Sequence, residues 1–150
     1  MRAVLAKPHK DEQIVSVDPA TGKELGLIDV SSPDEVREAV SRSRQVFHKW
    51  KTTSFKTRRR LVMNAREVIL DEMDDIAHLI SAESGKPFGE AIAMEIAPVL
   101  DLMQWVARGA EKMLRPRRVG IGLYGLLGRS SKIVYRPLGA VGTIPAWNYP

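Results

Sequence analysis

The sequence predicts an α/β protein, ordered as a β-hairpin, three long helices, a second β-hairpin and one further short strand. Three observations support this order. Two short β-prone runs flank a proline- and glycine-containing turn near residue 20, apolar residues recur at helical spacing from 33 to 114, and glycine-rich, β-prone segments follow residue 116. The chain of 150 residues has the size of one average domain, and its hydrophobic fraction of 44% is ordinary for a folded protein.

The first hairpin is expected over residues 13–30. Apolar runs lie on both sides of the sequence Asp-Pro-Ala-Thr-Gly at 18–22, where proline and glycine supply the dihedral angles of a turn.

The first helix is expected to begin after Ser31 or Ser32. Pro33 suits the first helical position, and Ser32 with Glu35 three residues later fits a capping box. The helical spacing predicts one apolar face, which consists of Val36, Val40, Phe47 and Trp50.

Two further helices are expected over 54–84 and 88–114. Gly85 is a typical C-terminal residue for the second helix. Pro98 lies inside the third helix and is expected to kink it, because proline removes one backbone donor.

The net charge of +5 belongs to the last quarter of the chain. No Asp or Glu follows Glu111, whereas seven basic residues do: Lys112, Arg115, Arg117, Arg118, Arg129, Lys132 and Arg136. Charge alone leaves a nucleic-acid-binding domain open as an alternative. The aromatic residues of this segment form no recognised binding motif, and the basic run at 56–60 is typical of a solvated helix face, so we expect no nucleic-acid partner.

The chain contains no cysteine, which excludes disulfides, cysteine-based metal sites and a thiolate nucleophile among these 150 residues. The three histidines are far apart and indicate no metal site. The longest uncharged run, 137–150, is shorter than the roughly 20 apolar residues that a membrane span needs. With no signal peptide at residues 1–6, a cytoplasmic protein without a membrane partner is expected.

A dinucleotide-binding pattern, G-x-G-x-x-G, occurs at Gly120, Gly122 and Gly125. That pattern binds a dinucleotide only where it joins a strand to a helix and precedes an acidic residue that binds the ribose. Gly128 disfavours a following helix, and no acidic residue lies downstream. A glycine-containing β-hairpin is expected here instead.

Three short motifs occur in one order along the chain. Residues 18–26 read D-P-A-T-G-K-E-L-G, residues 83–87 read E-S-G-K-P with Glu-Ala at 90–91, and residues 136–150 hold P-x-G-x-V followed by W-N-Y-P. Together they resemble the aldehyde dehydrogenase superfamily over nearly the whole chain from residue 18.

The resemblance implies the N-terminal part of the aldehyde dehydrogenase fold. Residues 1–114 would form the N-terminal hairpin and the helical part of the cofactor-binding domain. Residues 115–137 would form the β-hairpin of the oligomerisation arm, and 138–150 the first strand of a Rossmann-like, cofactor-binding sheet. The implied activity is oxidation of a small-molecule aldehyde to a carboxylic acid with NAD or NADP, in an enzyme that forms a homo-oligomer.

The resemblance also implies roles for five residues near the end of the chain. Asn148 matches the residue whose side-chain amide helps to form the oxyanion hole, with a turn residue before the last proline as the alternative. Ile144, Trp147 and the backbone at Ala146 match positions that line the cofactor cleft. Tyr149 matches an aromatic residue of the substrate tunnel, with structural packing as the alternative.

Two departures from the family pattern bear on activity. Ala146 stands where proline commonly precedes the tryptophan. The family's cysteine nucleophile, glutamate base and cofactor-binding lysine lie further along the chain and have no counterpart here. The 150 residues alone are therefore expected to be inactive, or to associate with the missing C-terminal part. The alternative is a non-enzymatic pairing module or relic that associates with a full-length relative.

Overall fold

The computed structural model describes residues 13–146. Its strands are β1 (Gln13–Val17), β2 (Glu24–Asp29), β3 (Arg117–Val119) and β4 (Ser131–Ile133). Its helices are α1 (Pro33–Trp50), α2 (Phe55–Asp71), α3 (Met73–Ser84), α4 (Phe88–Glu90), a π-helical segment (Ala91–Ile96), α5 (Ala97–Met113) and the single turn α6 (Leu123–Leu126).

Both predicted hairpins are confirmed. β1 pairs antiparallel with β2, and a bulge lies between Ser16 and Val17. β3 pairs antiparallel with β4, with Arg117 opposite Ile133. The two hairpins form separate two-stranded sheets. Since an isolated hairpin is at best marginally stable in water, each depends on what it contacts.

The capping box at the start of α1 is also confirmed. The Ser32 hydroxyl accepts a hydrogen bond from the Glu35 backbone N–H at 3.2 Å, and the Glu35 carboxylate accepts one from the Ser32 N–H at 2.7 Å. Pro33 occupies the first helical position, where its missing N–H costs no hydrogen bond.

The long second helix predicted from the sequence is in fact two helices. Glu72, with φ −101° and ψ 12°, separates α2 from α3. The break places Asp74 and Asp75 in the first turn of α3, where the helix dipole stabilises negative charge. One continuous helix would have kept these carboxylates in its interior. Apolar spacing, on which the predicted helix over 54–84 is based, does not reveal this electrostatic preference.

The predicted third helix is continuous from 88 to 113 but contains one π-helical segment. The Ala97 N–H donates to the carbonyl of Ile92, five residues earlier, and Pro98 follows immediately. Pro98 has no N–H for the carbonyl four residues before it, and the wider π turn accommodates this missing donor. The irregularity expected at Pro98 is therefore a change of hydrogen-bond register just before it.

The core lies where α2 packs on α5 and α3 packs on the π-helical segment. Among the described residues, four hydrophobic side chains are buried: Ala77, Ala91, Ile96 and Leu100. Partly buried side chains of α2 and α3 surround them, including Ile69 and Ile76. The two alanines let α3 and the π-helical segment approach closely.

α1 lies outside this core and makes no extensive contact with another helix or strand of the described chain. Its predicted apolar face remains open, with Val36 53%, Val40 42% and Trp50 42% exposed. The described part of the expected segment 138–150, residues 138–146, has no regular secondary structure. Within residues 13–146, no helix is both long and apolar enough to cross a membrane.

The capping box gives a first testable prediction. Ser32→Ala removes one half of the box and should lower the local stability of α1 by about 1 kcal/mol. Amide hydrogen exchange of α1 should then be roughly fivefold faster, since 1.4 kcal/mol corresponds to a tenfold change. Ser31→Ala changes an exposed neighbour outside the box and should leave exchange unaltered. Equal exchange rates in the two variants would contradict the capping role.

Candidate functional site

The structure describes two of the five predicted site residues, Ile144 and Ala146. Both lie in the segment 134–146, which has no regular secondary structure, and both are exposed, Ile144 to 92%. Trp147, Asn148 and Tyr149 lie outside the described residues. The predicted roles of all five therefore stay predictions.

The segment that leads to these residues runs past the apolar face of α1. Gly139 has φ +112°, a conformation that side-chain-bearing residues rarely adopt, so glycine is needed for the chain to turn there. No local sequence pattern predicts that this segment lies beside α1. Gly139 and Ala140 lie beside an open cavity of about 550 Å³, which is otherwise lined by Ala39, Arg42, Ser43, Val46, Phe47 and Trp50.

The motif E-S-G-K-P forms the junction after α3. Gly85 is the left-handed C-cap of α3, with φ +73°, and its N–H donates to the Ser81 carbonyl at 2.9 Å. A Cβ at Gly85 would lie 3.3 Å from Cγ of Pro19, in the turn of the first hairpin. The first two sequence motifs are thus in direct contact.

Two polar pairs strengthen this junction. The Ser16 hydroxyl donates to the Glu83 carboxylate at 2.7 Å and ties β1 to the end of α3. Lys86 Nζ lies 2.6 Å from the Glu95 carboxylate, and these side chains are only 15% and 21% exposed. Glu83 and Lys86 therefore hold elements together. The contacts described for Glu83, Gly85 and Lys86 are structural, and the motif match alone does not reveal them.

The turn of the first hairpin is organised by Asp18. Its carboxylate accepts hydrogen bonds from the Ala20 N–H at 2.7 Å and from the Thr21 N–H at 3.2 Å. The Ala20 bond is the main cause that lowers the pKa of Asp18, with further contributions from Thr21 and from the positive charge of Lys23. The ionised carboxylate is thus the form that fits the turn.

The glycine pattern at 120–125 is not a dinucleotide-binding loop. Gly122, with φ +57°, precedes α6, which spans only four residues, and β4 follows it in the same hairpin. A phosphate-binding loop instead opens a long helix whose N-terminus faces the phosphate. The expectation of a glycine-containing hairpin is confirmed.

Metal binding finds no support in the described part of the chain. Residues 13–146 contain no group of three or more acidic, histidine or cysteine side chains arranged to hold an ion. The two described histidines lie beside aromatic rings, with ring centroids 6.4 Å apart for His48 and Phe47 and 4.5 Å apart for His78 and Phe88. Both histidines thus belong to aromatic contacts.

Comparison with known proteins identifies the family to which the chain belongs. The model of the aldehyde dehydrogenase family matches residues 6–150. The chain therefore belongs to the aldehyde dehydrogenase family. Among solved structures, one described as "Structural insights into cofactor and substrate selection by Gox0499" superposes with a TM-score of 0.75 at 25% identity. That match covers 84% of this chain and 26% of the other.

Curated relatives agree with this assignment. The 4,4'-diapolycopene aldehyde oxidase of a Methylomonas species is 31% identical over 91% of this chain and 26% of its own length. The succinate semialdehyde dehydrogenase [NAD(P)+] Sad of Escherichia coli K12 is 27% identical over 91% of this chain and 28% of its own length. The chain thus spans about a quarter of the length of the curated relatives it matches. Its helices and strands correspond to part of the aldehyde dehydrogenase fold.

The contact between Gly85 and Pro19 gives a second prediction. Gly85→Ala should lower the free energy of unfolding by about 1–2 kcal/mol, the usual cost of left-handed backbone with a Cβ. Gly89→Ala is the matched control, because a Cβ there meets nothing within 4 Å and the residue lies in a helix. It should be neutral or stabilise by up to about 1 kcal/mol. Urea denaturation distinguishes the two, and equal effects would refute the role of Gly85.

Asp18 gives a third prediction, on pH. A carboxylate whose pKa is lower in the folded state stabilises the fold above the unfolded pKa, near 3.9. That contribution is lost as the pH falls through the lowered folded pKa. Asp18→Asn should therefore weaken the loss of thermal stability below about pH 4. Asp101→Asn, an exposed position on α5, serves as control, and an identical change in both variants would contradict the role of Asp18.

Proposed function

We propose that this chain supplies part of the active site of an NAD(P)-dependent aldehyde dehydrogenase, which oxidises an aldehyde to a carboxylic acid. The family match over residues 6–150 carries this proposal, because it extends through the W-N-Y-P motif. The names of two relatives, an aldehyde oxidase and a semialdehyde dehydrogenase, both denote oxidation of an aldehyde.

Asn148 is proposed as a donor to the oxyanion. When a nucleophile attacks an aldehyde, the carbonyl oxygen gains negative charge, and an amide N–H stabilises that charge without giving up a proton. A lysine at this position would carry a full positive charge in the ground state as well. A neutral amide interacts more strongly with the developing oxyanion than with the neutral aldehyde, which is the difference that lowers the barrier.

Ile144, Trp147 and the backbone at Ala146 are proposed to line the cofactor cleft. The Ile144 side chain is 92% exposed, so its apolar surface is available to pack against a flat, partly apolar ring. These residues would form one wall of such a cleft, and the phosphate-binding part would come from elsewhere in the protein. The nicotinamide group, when bound, supplies the hydride acceptor. The relative from Escherichia coli is named as an NAD(P)+ enzyme.

Tyr149 is proposed to contact the substrate, because an aromatic ring packs well against the apolar part of an aldehyde. The attacking nucleophile must come from outside these 150 residues if it is a cysteine, since they contain none. The chain is accordingly proposed to act with further sequence, in the same or another polypeptide. It then contributes the oxyanion donor and one side of the cofactor cleft.

The decisive experiment measures aldehyde-dependent NAD(P)H formation at 340 nm. The purified chain alone should show none, and activity should appear once the cysteine-, glutamate- and lysine-bearing part of the enzyme is supplied. A homo-oligomer in the active preparation is part of the same proposal. If the complete assembly oxidises no aldehyde but still binds a full-length relative, the chain is instead a pairing module, and the enzymatic proposal is wrong.

The role of Asn148 is tested in the active assembly. Asn148→Ala should lower kcat by about 10²–10³-fold, the usual effect of removing one oxyanion donor. KM should change much less, because the lost interaction is strongest in the transition state. Asn64→Ala changes an exposed asparagine on α2 and should leave kcat unaltered. A loss of less than about threefold in Asn148→Ala would exclude an oxyanion role.

A further inference from the structure

Arg58 differs from the other arginines in the basic run at 56–60. The two arginines that follow it are exposed on α2, whereas the Arg58 side chain is partly buried at the connection between α1 and α2. Its Nε donates to the Thr53 carbonyl at 3.1 Å. Its Nη2 donates to the Trp50 carbonyl at 2.8 Å and to the Lys51 carbonyl at 3.3 Å. One guanidinium thus binds three carbonyls at and just beyond the end of α1.

The Arg58 guanidinium also lies against two aromatic rings. Its Cζ is 5.2 Å from the ring centroid of Trp50 and 5.7 Å from that of Phe55. Trp50 is the last residue of α1, and Phe55 is the first of α2. A guanidinium bound in this way keeps its orientation, because its planar set of donors and its contacts with ring faces are both directional. Arg58 therefore joins the end of α1 to the beginning of α2.

The position of Arg58 within α2 is unfavourable for a cation when α2 is considered by itself. Arg58 is the fourth residue of this helix, near the positive end of the helix dipole, and the first turn contains no acidic residue. The C-terminal carbonyls of α1, by contrast, form the negative end of a dipole and lack partners within their own helix. The charge of Arg58 thus stabilises α1 and not the helix that contains it.

The connection at Arg58 determines where α1 lies relative to the core. α2 packs on α5 and belongs to the core, whereas α1 makes no extensive contact with another helix or strand of residues 13–146. Within this part of the chain, α1 is therefore held chiefly by its connection to α2. A rotation at this connection would displace the whole 18-residue helix.

α1 in turn lies beside the segment that leads to the proposed wall of the cofactor cleft. Phe47 and Trp50 of α1 line the same cavity as Ala140. Ile144 comes four residues after Ala140. Four residues of extended chain span at most about 14 Å. The placement of α1 therefore restricts where Ile144 and Ala146 can lie.

We propose that Arg58 is a positioning residue for cofactor binding: it fixes α1, and α1 holds the segment 138–146 where its residues line the cofactor cleft. This inference rests on the proposed function, in which Ile144 and Ala146 form one wall of that cleft. Arginine is required, because a lysine ammonium lacks the planar fork that reaches several carbonyls at once. Since the cofactor binds only molecules whose segment is in place, a smaller fraction of such molecules weakens its apparent affinity in proportion.

The first experiment tests the link between Arg58 and Ala140 without an enzymatic assay. Ser43 and Ala140 line the same cavity, and the chain contains no cysteine of its own. In the full chain with Ser43→Cys and Ala140→Cys, a short bismaleimide should join the two thiols within one molecule. Adding Arg58→Ala should slow this reaction about tenfold, the usual equilibrium effect of losing hydrogen bonds to a charged group. Arg59→Ala, the matched control, should leave the rate unaltered, and an unaltered rate in Arg58→Ala would overturn the proposal.

The second experiment measures cofactor binding by the active assembly. Arg58→Ala should raise the dissociation constant of NAD(P)+ about tenfold, as expected when about a tenth of the molecules hold the segment in place. At saturating cofactor, kcat should change by less than about threefold, because bound cofactor selects those molecules. Arg58→Lys should raise the dissociation constant nearly as much, whereas Arg59→Ala should not change it. A wild-type dissociation constant in Arg58→Ala would overturn the proposal.

A stability control separates positioning from a general loss of stability. Gly85→Ala weakens a different junction, between α3 and the first hairpin, and should leave the dissociation constant of NAD(P)+ unaltered. An equal rise in Gly85→Ala and Arg58→Ala would show that Arg58 only stabilises the fold, and would overturn the proposal. Unaltered cross-linking in Arg58→Ala contradicts this inference alone. An assembly that binds no NAD(P)+ contradicts the proposed function, and this inference with it.

Discussion

The close approach of α3 to the π-helical segment constrains the rest of the described structure. Ala77 and Ala91 are completely buried where these elements meet, and a larger side chain at either position would separate them. Ile96 and Leu100 continue the same contact surface. The π turn before Pro98 shifts the helical register, so that Ile96 and Leu100 both reach the core and Glu95 reaches Lys86. One missing backbone donor thus sets the geometry of the helical core.

Features determined by neighbouring residues could be predicted from the sequence. The capping box of Ser32 and Glu35, the C-cap at Gly85 and the turn at Asp18 each need only a few consecutive residues with specific chemistry. Features that depend on competing or distant interactions could not be predicted from the sequence. The break at Glu72 reflects the balance between apolar spacing and helix-dipole electrostatics. Whether the apolar run within 138–146 forms a strand depends on a pairing partner, which no local pattern reveals, and these residues have no regular secondary structure.

The candidate site shows the same difference between what a local pattern predicts and what only contacts reveal. The roles predicted for Asn148 and Trp147 rest on the resemblance of the W-N-Y-P motif, and the family match covers these positions. The motifs at 18–26 and 83–87 match equally well, yet their described residues stabilise a junction between a hairpin and a helix. A motif match therefore marks positions where the fold restricts the sequence. The role of each side chain follows from its own contacts.

The hydrogen bond between Ser16 and Glu83 has a consequence for the order of events during synthesis. Its two residues are 67 positions apart, so the ribosome needs roughly 3–13 seconds to proceed from one to the other, at about 5–20 residues per second. A two-stranded hairpin is only marginally stable by itself, whereas α1 carries its own cap and forms locally. The first hairpin is thus made before the helix that ties it down. Until α3 is complete, Ser16 lacks its Glu83 partner, and β1 and β2 are held only by their pairing with each other.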